Sequence, residues 1–339
     1  MSVDRLRRVA RRTMTWNFRV WGFGEAIALR GLMVFADAVG DAAAPAFVHG
    51  LLRAWFGRGV ACSAADHVGP GCELLALWRR TGDPAFLEAA RGLAALHASF
   101  PQHESGARWH RPDQAGWQHQ IWVDCMHVDP PFLVRLATAT SEDRYYDQGA
   151  GELLAYARLL QDERTGLFVH GHELRCGPNG ERWARGNGWA LLGLVDTLVE
   201  LPSEHPARLE LHQRLRALSD GLARAQRTDG LWHTIIDDER TFAESTLAAM
   251  VASALPGAVR SGLLDRSTHE SMERRAREAI PALIDQTGAL QLVTEATPIG
   301  SREMYATRAF GVYPWGQGPA LLALSRQLDG DGEHERSGL

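Results

Sequence analysis

Thr165-Gly166-Leu167-Phe168-Val169-His170 is one of four versions of the same turn, and that repetition decides how the chain is read. The others are Ser105-Gly106-Ala107-Arg108-Trp109-His110, Asp229-Gly230-Leu231-Trp232-His233 and Thr287-Gly288-Ala289-Leu290-Gln291-Leu292. Their glycines recur about every 60 residues, which is a supersecondary period rather than chance spacing. Each segment reads as a glycine turn followed by a short extended piece with alternating side chains.

Between the turns the apolar pattern is helical. Gly71 to Trp78 runs into Thr81-Gly82-Asp83-Pro84, a helix stop followed by a proline start for Ala85 to Leu96. The same pairing recurs at 132–140 with 143–160, at 190–201 with 206–225, and at 246–255 with 268–284. Gly188 and Pro202 bracket the third of these inner helices. Two helices per roughly 55–60 residues over the chain imply about twelve helices. An open solenoid would need polar capping repeats, and neither end of the sequence shows one. The expected fold is therefore all-α: an (α/α)6 barrel of six helical hairpins in a closed ring, with the site at one mouth. A single domain is expected over 1–328, and the polar stretch 329–339 is expected to fray.

Composition narrows the partners. The chain has 339 residues, 45% apolar and 23% charged, which suits a globular core. Net charge is −5 without a block of Lys/Arg among aromatics, so nucleic acid is not an expected partner. The basic opening Arg5–Arg12 has no apolar run behind it and reads as a solvated helix start rather than a secretory signal. No run of about 18 apolar residues exists, so no membrane span is expected. Cys62, Cys72, Cys125 and Cys176 are scattered, without the spacing of a disulfide framework or a zinc site. A cytoplasmic location is the corresponding expectation.

In a closed helical barrel, the extended segments emerge at one end. The residues that start each inner helix therefore face a common mouth. These are Gly116-Trp117-Gln118-His119-Gln120-Ile121-Trp122-Val123-Asp124, Arg182-Trp183-Ala184-Arg185-Gly186-Asn187-Gly188-Trp189, Phe242-Ala243-Glu244-Ser245-Thr246 and Tyr313-Pro314-Trp315-Gly316-Gln317-Gly318. Flat aromatic faces with convergent polar groups suit sugar rings, and helix N-termini suit an anionic ligand.

Arg182 to Trp189 resembles the R-W-x-R-G-N-G-W signature of the unsaturated uronyl hydrolases, glycoside hydrolase family 105 and its relative family 88. Five further segments resemble the family in order. They are Asp66-His67-Val68-Gly69-Pro70-Gly71, Trp109-His110, Trp122-Val123-Asp124, Phe168-Val169-His170-Gly171, and Glu244-Ser245 together with Tyr313–Gly318. The likeness spans about Trp21 to Leu324.

The resemblance implies hydrolysis of a Δ4,5-unsaturated glycuronyl residue from a lyase-generated oligosaccharide, with no metal and no cofactor. A rhamnogalacturonan-type disaccharide is the family's commonest substrate. It implies that Asp124 is the proton donor and that Asp66 lies opposite, either as a catalytic group or as a binding one. Arg185, Trp183 and Trp189 would bind sugar, with His110, Trp122, His170, Asn187, Glu244 and Trp315 around it. The substrate's C4=C5 bond is conjugated to the ring oxygen and the carboxylate. Protonation at C4 leaves an oxocarbenium-like centre at C5, water adds there, and the hemiketal opens to expel the leaving sugar. Asp124 must then hold a proton near neutrality against an ordinary pKa of about 3.9, which burial beside aromatics and the charge of Asp66 would favour.

Competing readings attach to individual residues. Asp124 and Asp66 are also ordinary cap and turn residues, Arg185 an ordinary ion-pair partner, and Glu244 either a helix-start charge or a site wall. After Asp124 the run Cys125-Met126-His127-Val128-Asp129 departs from the family pattern before Pro131-Phe132 restores it. His127, three positions beyond Asp124, is expected either to tune Asp124, to contact substrate, or to be a packing change. Rival functions are another helical-barrel sugar enzyme, such as an epimerase or ordinary glycosidase, and a non-catalytic carbohydrate-binding repeat protein. A terpene or prenyl enzyme would want more than the lone pair Asp237-Asp238. Oligomeric state stays open.

Overall fold

The computed structural model describes residues 2–59 and 67–336. Its helices are α1 Val3–Met14, α2 Phe23–Val39, α3 Ala43–Gly57, α4 Gly71–Thr81, α5 Pro84–Ala98, α6 Cys125–Thr140, α7 Arg144–Leu160, α8 Ala184–Glu200, α9 Arg208–Ala225, α10 Thr246–Arg260, α11 Arg266–Ala279, α12 Arg302–Ala306 and α13 Pro314–Arg336. An (α/α)6 barrel results. The inner helices pack in the order α2, α4, α6, α8, α10, α13 and back to α2. Outer helices α3, α5, α7, α9 and α11 each follow their inner partner, and α1 packs on α13 to complete the sixth pair.

The inner helices are buried on most faces. α8 is buried from Ala184 to Leu198 and α10 from Thr246 to Leu255, so neither shows the polar stripe of a surface helix. Closure depends on small residues. A side chain at Gly318 would collide with the backbone of Ile27 in α2, and one at Gly31 with the backbone of Gly318, so these glycines let α2 and α13 approach closely.

The four repeat glycines take positive φ, from 77° to 94°, a region that favours glycine. Each chain segment then folds back on the end of the preceding outer helix or turn, as in the bridges Gln102 to Arg108, Gln161 to Phe168 and Ile284 to Leu290. Gln161 Nε2 donates to the carbonyls of Gly166 and Arg214, and Gln226 Nε2 to those of Gly230 and Met272. Each glutamine thus ties its turn to the next outer helix. Gly288 lies instead against the backbone of Arg8 in α1, so the first helix occupies the place a following outer helix would take.

Short strands lie at the mouth. β1 Gln120–Trp122, β2 Gly171–Glu173 and β3 Gly177–Pro178 form an antiparallel sheet, with Trp122 opposite Gly171. β4 Trp232–His233 pairs with β5 Ala243–Glu244.

Two sequence expectations are corrected. α6 begins at Cys125, seven residues before the expected Phe132, despite Pro130 and Pro131 inside it. The prolines remove the usual helical donors to the Met126 and His127 carbonyls, and Gly193 of α8 packs against the Met126 carbonyl there. α8 begins at Ala184, so Gly188 lies within the helix, where a side chain would collide with Met250. α13 extends to Arg336, across the polar stretch that begins at Asp329. Among the described residues no helix is long and apolar enough to cross a membrane, and Cys72, Cys125 and Cys176 are free.

Candidate active site

Asp124 ends the segment that leads from β1 into α6. It stands at the N-cap position, but its side chain caps nothing. It is 1% exposed, and neither carboxylate oxygen accepts a hydrogen bond among the described residues. A buried carboxyl without its own partners is costly unless a ligand or water completes it.

Its nearest polar neighbour is His170, whose Nε2 lies 3.4 Å from Asp124 Oδ2. That imidazole is oriented from behind. Asn179 Nδ2 donates to the Tyr305 hydroxyl at 3.1 Å, and the hydroxyl lies 2.6 Å from His170 Nδ1. With Asn179 as donor, the Tyr305 proton is free to go to Nδ1, which leaves the ring proton on Nε2, facing Asp124. Burial holds His170 below its ordinary pKa and pushes Tyr305 above its own, so the ring is neutral and the hydroxyl keeps its proton.

Aromatic rings wall the carboxylate. Trp122 stacks on His110 with centroids 4.1 Å apart and on Trp117 at 4.9 Å, and it meets His170 edge-on at 5.0 Å. Trp183, the residue before α8, lies 4.4 Å from His170. Burial, followed by the charge of His67, keeps His110 well below its ordinary pKa.

Arg185 sits over Trp183 at 4.4 Å and over Trp315 at 5.7 Å. Its guanidinium donates to Glu244 Oε1, the Thr294 carbonyl and hydroxyl, the Glu295 carbonyl and the Thr297 hydroxyl, at 2.8–3.2 Å. Burial lowers the Arg185 pKa and raises that of Glu244, and each charge opposes the other's shift. Arg185 and Glu244 are therefore a buried ion pair that fixes the 294–297 segment beside the site. Trp315 Nε1 donates to the same Thr294 carbonyl at 2.9 Å.

Three expected site residues lie elsewhere, and Asp66 falls outside the described residues. Asn187 Oδ1 accepts from Phe168 N at 2.8 Å, while its Nδ2 donates to the carbonyls of Phe168 and Trp183. Fully buried, it clamps the repeat turn to α8 and offers no group to a sugar. Trp189 is buried inside the barrel, where it stacks on His127 at 5.1 Å. His127 lines a small cavity with Arg30, Glu73 and Arg135. Burial drops its pKa to about 3, and the charges that act on it are Asp196, Arg30 and Arg135. Its ring is thus taken up by Trp189 and by a cavity that Asp124 does not line.

A family model described as Glycosyl Hydrolase Family 88 matches residues 4–328. The chain belongs to that family. It is 28% identical over 336 residues to the unsaturated rhamnogalacturonyl hydrolase YesR of Bacillus subtilis, with 95% of this chain and 93% of that protein covered. Among solved structures, a possible member of family GH105 from Salmonella enterica superposes with a TM-score of 0.88 at 22% identity, covering 97% of this chain and 95% of the other. The unsaturated glucuronyl hydrolase of Bacillus sp. GL1 superposes with a TM-score of 0.72 at 16% identity, covering 96% and 95%.

In this family 88 chain, two further features escaped the sequence reading. Tyr305 and Asn179 lie outside the repeat frame, and only the long interval between Gly288 and Tyr313 hinted at an inserted element. A second polar cluster adjoins the site. His67, His110 and Cys125 are buried with one potential ligand atom each, all within 4.8 Å of one another. Their separation in sequence, 67, 110 and 125, hides the grouping.

Proposed function

We propose that this chain removes a Δ4,5-unsaturated uronic acid from the non-reducing end of a short lyase-generated oligosaccharide, with a rhamnogalacturonan-type disaccharide as preferred substrate. The observation that carries the reading is the Asp124 carboxyl, buried and uncapped at the barrel mouth between Trp122 and His170. The name of the Bacillus subtilis relative supports the choice of substrate.

Asp124 delivers its proton to C4, and positive charge develops at C5 and the ring oxygen. The His170 Nε2–H, aimed at the same carboxylate, stabilises the anion that donation leaves behind. Asp124 then takes a proton from the water that adds at C5, and the hemiketal opens to release the leaving sugar. Trp122 and Trp183 keep bulk water off the alkene and present flat faces to the ring. Arg185 is a positioning residue whose positive charge favours an anionic sugar nearby, since both of its terminal nitrogens are engaged by the protein. Asp66 is the proposed second carboxylate, and the cytoplasm the proposed location.

The test is Asp124→Asn on disaccharides made by polysaccharide lyases, followed through loss of the conjugated alkene's ultraviolet absorbance. A positioned acid contributes roughly 100- to 10,000-fold, and the variant is expected to lose that much in kcat while retaining its circular dichroism spectrum. Near-normal turnover by a folded variant rejects the assignment.

A further inference from the structure

We propose that His67, His110 and Cys125 form a zinc-type metal site immediately behind Asp124. Cys125 Sγ lies 3.5 Å from His67 Nε2 and 3.4 Å from His110 Nδ1. A zinc ion with Zn–S of about 2.3 Å and Zn–N of about 2.0–2.1 Å at tetrahedral angles separates its sulfur and nitrogen ligands by about 3.5 Å. Both sulfur–nitrogen edges of the cluster therefore already have the required length. All three side chains are buried, so the ligands are held rather than recruited from mobile surface positions.

The surroundings of His67 match what a metal-bound imidazole needs. His67 Nδ1 is paired with the buried carboxylate of Asp129, an arrangement that fixes the ring and turns Nε2 toward the cluster. Asp129 also receives Val68 N–H at 3.3 Å, which ties the carboxylate to the turn carrying His67. The His110 Nε2 atom is buried without a partner among the described residues, and it becomes the proton-bearing nitrogen when Nδ1 binds a metal. Thiolate and two imidazoles favour zinc over harder cations. Three protein ligands leave the fourth position for water.

Without metal, the His67 Nε2–H has another use, because the Trp109 carbonyl lies 3.2 Å away. Metal binding replaces that hydrogen bond and the Cys125 S–H. Both protons pass to solvent, and the dication faces one thiolate and the Asp129 carboxylate. The ion would join three separate segments: the turn before α4, the Trp109-His110 turn, and the start of α6. Asp124 directly precedes the thiolate ligand, so the site would brace the backbone that presents it.

The experiment is done on the full chain purified under thiol reductant without chelator. Zinc is measured by mass spectrometry, and chelator-stripped protein is titrated with cobalt(II) while visible and near-ultraviolet spectra are recorded. One zinc per chain, a thiolate-to-cobalt charge-transfer band and a tetrahedral d–d spectrum are expected. Cys125→Ser is expected to abolish the charge-transfer band, while Cys176→Ser, at an exposed cysteine, leaves it intact. Stripped wild-type protein that takes up no cobalt or zinc overturns the proposal, whatever the behaviour of the variant. A folded Cys125→Ser protein with the wild-type spectrum overturns it equally. These readouts do not involve turnover, so the metal site stands or falls apart from the proposed reaction.

Discussion

Glu73 offers a direct measure of how the barrel interior treats charge. It lies in the first turn of α4, buried, with Oε2 unpartnered among the described residues. Burial raises its pKa from 4.5 to about 7, against the opposing charges of Arg30 and Arg135 and with a contribution from Asp196. Those arginines are already engaged. Arg30 pairs with Asp196, and Arg135 reaches Asp196 at 3.2 Å. The sign follows from linkage. In the unfolded chain Glu73 ionises near 4.5, while in the folded chain it keeps its proton to about 7, so folding stability falls as pH rises between these values. A shift of that size corresponds to about 3 kcal/mol, reached in full above pH 7 and absent below 4.5. Glu73→Gln removes the titration and keeps the shape. Urea unfolding followed by tryptophan fluorescence, across a pH series, is expected to show the variant gaining about 3 kcal/mol on wild type as pH rises through this window. Other titrating groups are common to both proteins and cancel in the difference. A difference that does not change with pH would refute the reasoning, because Glu73 would then be ionised in the folded protein throughout.

Tyr305→Phe removes the donor that orders His170. A kcat about tenfold lower with little change in KM is expected from steady-state kinetics, the size of one lost orienting hydrogen bond. Asn187→Ala strands the buried Phe168 N–H and carbonyl, while the Trp183 carbonyl keeps the backbone N–H of residue 187, and chemical denaturation should show a loss of about 2–3 kcal/mol. His127→Phe keeps a flat ring against Trp189, so the pH dependence of turnover is expected to match wild type. A displaced profile would return His127 to the reaction.

The barrel was legible because its punctuation repeats. Four glycine turns and the helix pairs between them imply a closed ring before any helix boundary is certain. The boundaries misled where packing outweighed local preference. Pro130 and Pro131 normally mark a helix start, yet α6 runs through them, and Gly193 of α8 leaves room for the Met126 carbonyl whose helical donor Pro130 removes. Asp124, His110, Trp122, His170 and Trp183 converge because each lies in a connection that leads from an outer helix to the next inner one. Asn187 and Trp189 share a motif with Trp183 but turn away, since successive positions on α8 point in different directions about its axis. A linear motif cannot separate the residues that face a ligand from those that support them. Tyr305 depends on an excursion with no counterpart in the other repeats, so the repeat logic could not place it.

The position of α1 against Gly288 and α13 makes the first helix of the barrel a neighbour of the last. During synthesis, α2 and α10 each await α13 to cover a flank, and α1, which meets α2 and α3 earlier, gains its main packing partner only when α13 is made. The seam joins only after α13 has left the ribosome, and such long-range closure is slow. Nascent chains stalled before Pro314 would expose two apolar helix faces at once, making them natural clients for chaperones.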